Sequence, residues 1–397
     1  MDGAVGNNGK AQIKLGAIKN RERVLKDFTD AIGVDSPSFK ERKMAELLKA
    51  KLAGEGLEVR EDGAGAEAGG ECGNLIAVLR GDPGMPAAAL LAHMDTVIPC
   101  GGKRWTVEGD IVRSDGRTIL GGDDAAGIAA ALEVVRRVKE EGIRHGDILV
   151  IFTIAEEVGL VGAKRLDTGL VKSVTGGGKL PEFCFVFDSG SPIGSVVSGA
   201  PTQVVIKIEV DGVAAHAGIE PEKGVNAIVA LSGAIAAMPL GRIDGETTAN
   251  IGMISGGHAS NVVCGKAAAT GEARSHDPKK LDRQIAKMRE CVDAACGRMG
   301  ASYNFDVSVE YEAFSLPPDS GIIRLLADAS KARGYEIEPV LTGGGSDANV
   351  LNSIGVPAAN LPAGMHLVHG TQEYADLRET AETIELTVEA FRQLANR

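Results

Sequence analysis

Five side chains able to hold a metal ion stand beside turns, most of them at the end of an apolar run: His93 in AHMDT, Asp123 in GGDDAAG, Glu157 in AEEVG, Asp188 in FDSG and His369 in HLVHGTQEY. Two imidazoles and three carboxylates form a donor set for two divalent cations that share one bridging carboxylate, the chemistry of a two-metal hydrolase. The mixed nitrogen and oxygen set suits zinc, with manganese or cobalt as replacements, and argues against calcium, which prefers oxygen alone.

Each signal is modest by itself. His93 and Asp95 stand two residues apart after LLA, so both side chains leave one face if the strand persists, and Asp95 can then fix the second ring nitrogen of His93. A solitary His after a strand is more often structural. Asp123 and Asp124 lie among Gly121, Gly122 and Gly127, where a loop turns into a helix; a carboxylate there can bridge two cations, or serve as a helix N-cap. Glu156 and Glu157 follow ILVIFTIA, and neighbouring side chains on an extended segment diverge, so one can ligate a metal while the other acts as a base toward water. Asp188 reads equally as a turn-initiating residue. His366 rivals His369, and the residues alone do not choose between them.

These residues need strands to deliver them. Extended runs at 74–80, 87–93 and 147–155 alternate with helical patterns at 40–53 and 125–141, which predicts an α/β fold: a mainly parallel sheet flanked by helices, with its ligands at the carboxyl edge. Near Val197 the texture changes. An alternating strand, an Ala-rich helix over 225–238, two strands, a charged helix over 278–299 and a final strand over 303–311 spell β, α, β, β, α, β, a ferredoxin-like α+β unit. The helix–strand pattern resumes near Leu316, so residues 198–313 form an insertion into a catalytic domain made of 1–197 and 314–397.

A length of 397 residues suits two domains, and 44% apolar with 24% charged residues suits a soluble globular chain. With 42 basic and 54 acidic residues the formal charge is −12, which argues against nucleic acid or an anionic membrane as partner. The six cysteines form no CxxC pair and read as reduced thiols, the Gly and Asn rich leader reads as disordered, and no apolar run is long enough to span a bilayer; a cytoplasmic location is expected.

The motifs HMDTV, GGDDAAG, AEEVG, FDSG, EARSHD and GGGSDAN resemble those of the M20 metallopeptidases, in particular their peptidase T-like branch, over nearly the whole chain. The resemblance implies a di-zinc aminopeptidase that cleaves the amino-terminal bond of short peptides. It assigns His93, Asp123 and Asp188 to one metal and Asp123, Glu157 and His369 to the other, with Asp95 orienting His93 and Glu156 as general base. It favours His369 over His366 because His369 lies four residues before Glu373, and it implies a cis bond between Asp123 and Asp124. In the insertion, His216 resembles the oxyanion-stabilising residue that reaches a partner subunit, and Arg274, Asn261 and Gly344 resemble substrate contacts, so a homodimer through the insertion is implied. Ala125 and Gly370 depart from the branch, which often carries Lys and Thr there. An M20-type carboxypeptidase or N-acyl amino acid deacylase is the alternative within hydrolases, and a catalytically silent metal-binding protein is the alternative outside them.

Overall fold

A computed structural model describes residue 13 and residues 15–396, and nearly all of the leader expected to be disordered lies outside them. The described residues form two compact units: those up to 198 with 316–341 and 346–396, and 199–315 with 342–345.

The first unit is built on one sheet whose strands run in the order Glu58–Glu61, Leu75–Leu79, Ile148–Thr153, Ala88–His93, Phe183–Ser189, Ala358–Pro362 and Ser195–Ala200, the last also paired with Glu338–Leu341. The four central strands are parallel to one another and the flanking ones antiparallel. Every residue of ILVIFT and AALLAH is buried, as expected for parallel strands covered on both sides, and this is why these runs show no polar alternation. Register then sets the level of the chemistry. His93 pairs with Thr153 and Leu91 with Val186, so the residues following the three strands emerge together at the carboxyl edge.

The helix Gly122–Glu140 packs on the strands Ala88–His93 and Phe183–Ser189, and the helices Arg21–Ile32 and Leu377–Ala395 pack on it in turn. That approach needs a glycine at position 127. A Cβ there would lie 2.4 Å from the Phe187 carbonyl oxygen and 2.3 Å from Asp124 Oδ1. Behind the sheet edge, a small antiparallel sheet of Met365–His366, Tyr374–Asp376, Ile111–Ser114 and Trp105–Glu108 closes the loop that carries His369. These short strands have no extended periodicity and were not anticipated from the residues.

The second unit is an antiparallel sheet in the order Gly241–Arg242, Thr247–Gly256, Lys266–Ser275, Thr202–Asp211, Ser302–Tyr311. Leaving out the two-residue edge piece, the fourth strand lies beside the first, then the third and second, with the helices Ala227–Ala237 and Pro278–Met299 packed against them: the ferredoxin-like arrangement. Val204, Ile206, Ile208 and Val210 alternate inward from the first strand to form its core. Asp277 caps the long helix through Lys279 N and Gly300 ends it in a left-handed turn. The chain enters and leaves this unit side by side: Phe314 and Ser315 pair with Ala200 and Gly199, and next to them Leu316 N donates to Ser198 O at 2.7 Å. Residues 342–345 cluster with the same unit through Thr342 N to Gly199 O at 3.0 Å.

Substituting Gly127→Ala should destabilise the first unit by about 1–3 kcal/mol, because a new methyl group must displace backbone. Urea unfolding of the variant and parent proteins checks this.

Candidate metal centre

His93 closes its strand, and only 2% of its side chain is exposed. Its Nδ1 donates to the Asp95 carbonyl oxygen at 2.9 Å, which leaves Nε2 as the ring nitrogen that faces Asp123. Asp95 therefore orients His93 chiefly through its backbone; its carboxylate stands further off, at 3.5 Å. The strand ends at His93, so the same-face expectation for Asp95 does not apply, and the carboxylate instead accepts from Ser38 Oγ at 2.7 Å and Glu156 N at 2.9 Å.

Asp123 lies at the centre of the arrangement. Its Oδ1 is 3.1 Å from His93 Nε2 and its Oδ2 is 3.3 Å from His369 Nε2. One carboxylate thus presents a different oxygen to each imidazole, the disposition a bridging ligand needs. On one side Asp188 Oδ1 stands 3.9 Å from His93 Nε2, and on the other Glu157 Oε2 stands 3.0 Å from His369 Nε2. Two triads result, His93 with Asp123 and Asp188, and Asp123 with Glu157 and His369, each with its donor atoms within 4.8 Å of one another. His366 takes no part: its Nε2 meets Glu379 at 2.9 Å and its ring stacks on Tyr374.

The electrostatics favour a cation. Burial together with the neighbouring carboxylates Glu156 and Asp123 pushes Asp188 well above the usual carboxylate range, and burial does the same to Asp124 and Glu156. Asp123 is held low despite burial, because His369 and His93 both bond to it. His369 is raised to about 10 by Asp123 and Glu157, which use its imidazole as their positive partner. Desolvated carboxylates this close repel one another, and divalent charge at the two triads would offset that cost. Mixed imidazole and carboxylate donors fit a zinc-like ion.

A family model for peptidase family M20/M25/M40 matches residues 89–397. The chain belongs to this family. An uncharacterised protein of Bacillus subtilis, YqjE, is 38% identical over 95% of this chain and 99% of its own length. The solved structure of aminopeptidase PepT from Bacillus cereus is 39% identical, with a TM-score of 0.83 and coverage of 96% of this chain and 100% of that one. A tripeptidase from Staphylococcus aureus is 33% identical, with a TM-score of 0.88 over the same shares.

Several supports of this M20 centre lie outside the motifs. Asp124 sits where non-helical backbone at Asp123 and Asp124 interrupts the first turn of the helix; one of its oxygens accepts from Gly127 N at 2.9 Å, as an N-cap would, and the other from His93 N at 3.1 Å. The bond joining Asp123 and Asp124 is cis. Glu373, 1% exposed, accepts from the amides of Leu120 at 2.7 Å, Gly121 at 2.9 Å and Asp123 at 3.1 Å, holding a turn in which Gly121 has φ of 75°. Asn360 grips the peptide of Asp188 at both ends, Oδ1 accepting from its N–H at 2.9 Å and Nδ2 donating to its carbonyl at 2.7 Å. Asp347, also buried, accepts from Thr153 Oγ1 at 2.5 Å. No local spacing marks Asn360 or Glu373 as partners of residues more than a hundred positions away.

In the second unit, His216 and Asn261 are exposed neighbours: His216 bridges Val262, and Ala217 N donates to Asn261 O at 3.0 Å. Arg274 is already engaged, with Nη2 to Glu272 Oε2 at 2.9 Å and Nη1 at 3.3 Å from both Tyr311 Oη and the Gly343 carbonyl. Gly344 follows directly, its N–H donating to Thr342 Oγ1 at 3.2 Å.

Removing the turn clamp by Glu373→Ala should weaken metal affinity about 10- to 100-fold with little change in secondary structure, since the residue shared by the two triads, Asp123, loses the partner that holds its backbone. Metal titration by calorimetry beside circular dichroism checks both parts.

Proposed function

We propose that this protein is a co-catalytic di-zinc aminopeptidase that hydrolyses the amino-terminal peptide bond of short peptides, tripeptides among them. The observation that carries the reading is Asp123, whose two oxygens face His93 and His369 separately. Family membership supports peptide hydrolysis, and the aminopeptidase and tripeptidase among similar structures support the short-substrate class.

His93, Asp123 and Asp188 would hold one ion and Asp123, Glu157 and His369 the other. Such ions supply Lewis acidity, polarising the scissile carbonyl and lowering the pKa of attacking water. Glu156 is buried beside Glu157, its N–H held by Asp95, and its carboxylate takes the proton from that water and passes it to the leaving amine. Burial keeps bulk water from competing for that proton. In the second unit, His216 supplies a hydrogen bond to the developing oxyanion across a homodimer, while Asn261 and Gly344 position the substrate backbone and Arg274 meets its carboxylate.

The homodimer has a physical rationale in the second unit. On its outer side the strand Thr247–Gly256 is paired only at Thr248 and Ala249, leaving an exposed edge with Met253 69% and Ile254 58% exposed. An apolar unpaired edge is a pairing site for a second copy. Six free cysteines suit a reducing, cytoplasmic setting, and among the described residues no helix is long and apolar enough to cross a membrane.

Free tripeptides should be cleaved by the zinc-restored enzyme while amino-blocked tripeptides and N-acyl amino acids are not; cleavage of the blocked substrates would establish the carboxypeptidase or deacylase alternative. Glu156→Ala should keep its metal content and lose turnover by about 100-fold or more, read by elemental analysis beside an amine-release assay. Replacing both Met253→Asp and Ile254→Lys should shift the protein to monomer in sedimentation velocity, and activity should fall with it.

A further inference from the structure

The segment that carries Glu156 is held in an unusual way. After the strand Ile148–Thr153 ends, four consecutive backbone N–H groups are each taken by a side-chain oxygen: Ile154 by Asn74 Oδ1 at 3.1 Å, Ala155 by Glu41 Oε1 at 3.0 Å, Glu156 by Asp95 Oδ1 at 2.9 Å and Glu157 by Asp95 Oδ2 at 3.3 Å. Ala155 has φ of 47°, a left-handed conformation that disfavours any residue with a Cβ. The same Glu41 oxygen accepts from Phe39 N at 2.8 Å, and Phe39 also has a positive φ, of 70°. Two strained residues from distant parts of the chain therefore meet on one carboxyl oxygen.

Glu41 is fully buried, and its second oxygen has no hydrogen-bond partner. Burial and the nearby Asp95 carboxylate raise its pKa to about 7. Burying a carboxyl group with half its hydrogen-bonding capacity unmet is unfavourable, and a helix N-cap position of this kind is filled at lower cost by Ser or Asp. The Glu41 side chain makes no bond that caps its own helix, Arg42–Gly54; it accepts instead from Phe39 just before it and from Ala155 in the segment leading to Glu156.

We infer that Glu41 is a positioning residue for catalysis: by accepting from Ala155 it locks the left-handed turn that aims the Glu156 carboxylate. This rests on the reading of Glu156 as the general base. A base misaimed by about 1 Å keeps substrate and metal binding but loses rate, on the order of 100-fold.

The test compares Glu41→Met, which keeps the length and loses the acceptor, with Glu41→Gln, which keeps an acceptor oxygen. On a free tripeptide, Glu41→Met should lower kcat at least tenfold with KM and bound metal within twofold of the parent, while Glu41→Gln stays within threefold in kcat. Parental kcat in Glu41→Met overturns the proposal, as does an equal loss of metal and rate, or a fall in Glu41→Gln as deep as in Glu41→Met. Should Glu41→Met not fold, the pair is compared in an Ala155→Gly background, where the left-handed residue carries no Cβ penalty, and the same outcomes apply. Glu156→Ala runs alongside: retained turnover there rejects the base assignment itself, whereas lost turnover there with parental kcat in Glu41→Met rejects only the role of Glu41.

Discussion

The constraint on which the rest of this structure depends is the crowding of buried carboxylates at one edge of a parallel sheet. Asp123, Asp188, Glu156 and Asp124 are pushed together where water screens them poorly, and among the described residues His93 and His369 bring opposing charge. Such a cluster keeps its geometry only if the backbone beneath it cannot relax. That explains why so many polar side chains nearby bond to peptide groups: Glu373 to the turn before Asp123, Asn360 to the peptide of Asp188, Asp95 to the amides of Glu156 and Glu157.

The two triads differ in how they are mounted. His93 leaves a central strand and is almost wholly enclosed, whereas His369 sits at φ of 64° on a loop with half its side chain exposed. The small sheet beneath that loop fixes its ends through Met365 opposite Ala375 and His366 opposite Tyr374. His366 thus serves the loop and stands outside both triads, bonded to Glu379 and stacked on the tyrosine.

Much of this was legible in the sequence, and the reasons are specific. Ile148–Thr153 and Ala88–His93 read as buried strands because strands covered on both faces are continuously apolar, and Thr202–Asp211 reads as half-exposed because it alternates. His93, Glu157 and Asp188 then fall at one edge because the parallel register of their strands carries them there. What could not be read is long-range pairing: Asn360 with Asp188, Glu373 with the Leu120 turn, and Glu41 with Ala155 have no spacing that announces them. The choice between His366 and His369 was closed to residue types alone, since both are imidazoles in one loop and only the hairpin register separates them. Asp95 shows a subtler limit. Its proximity to His93 was foreseeable, but the end of the strand at His93 turns the contact into one through the carbonyl.

The paired entry and exit of the second unit have a consequence for how such a chain can change over time. Because Ala200 and Phe314 are neighbours in a ladder, the remainder of the protein experiences everything between them as though it were a hairpin bend. The entropy of closing a loop grows only as the logarithm of its length, so lengthening, trimming or exchanging that excursion leaves the sheet and its carboxyl edge nearly undisturbed. A fold with this doorway can diversify what the excursion carries while the residues at the carboxyl edge of the sheet stay in place.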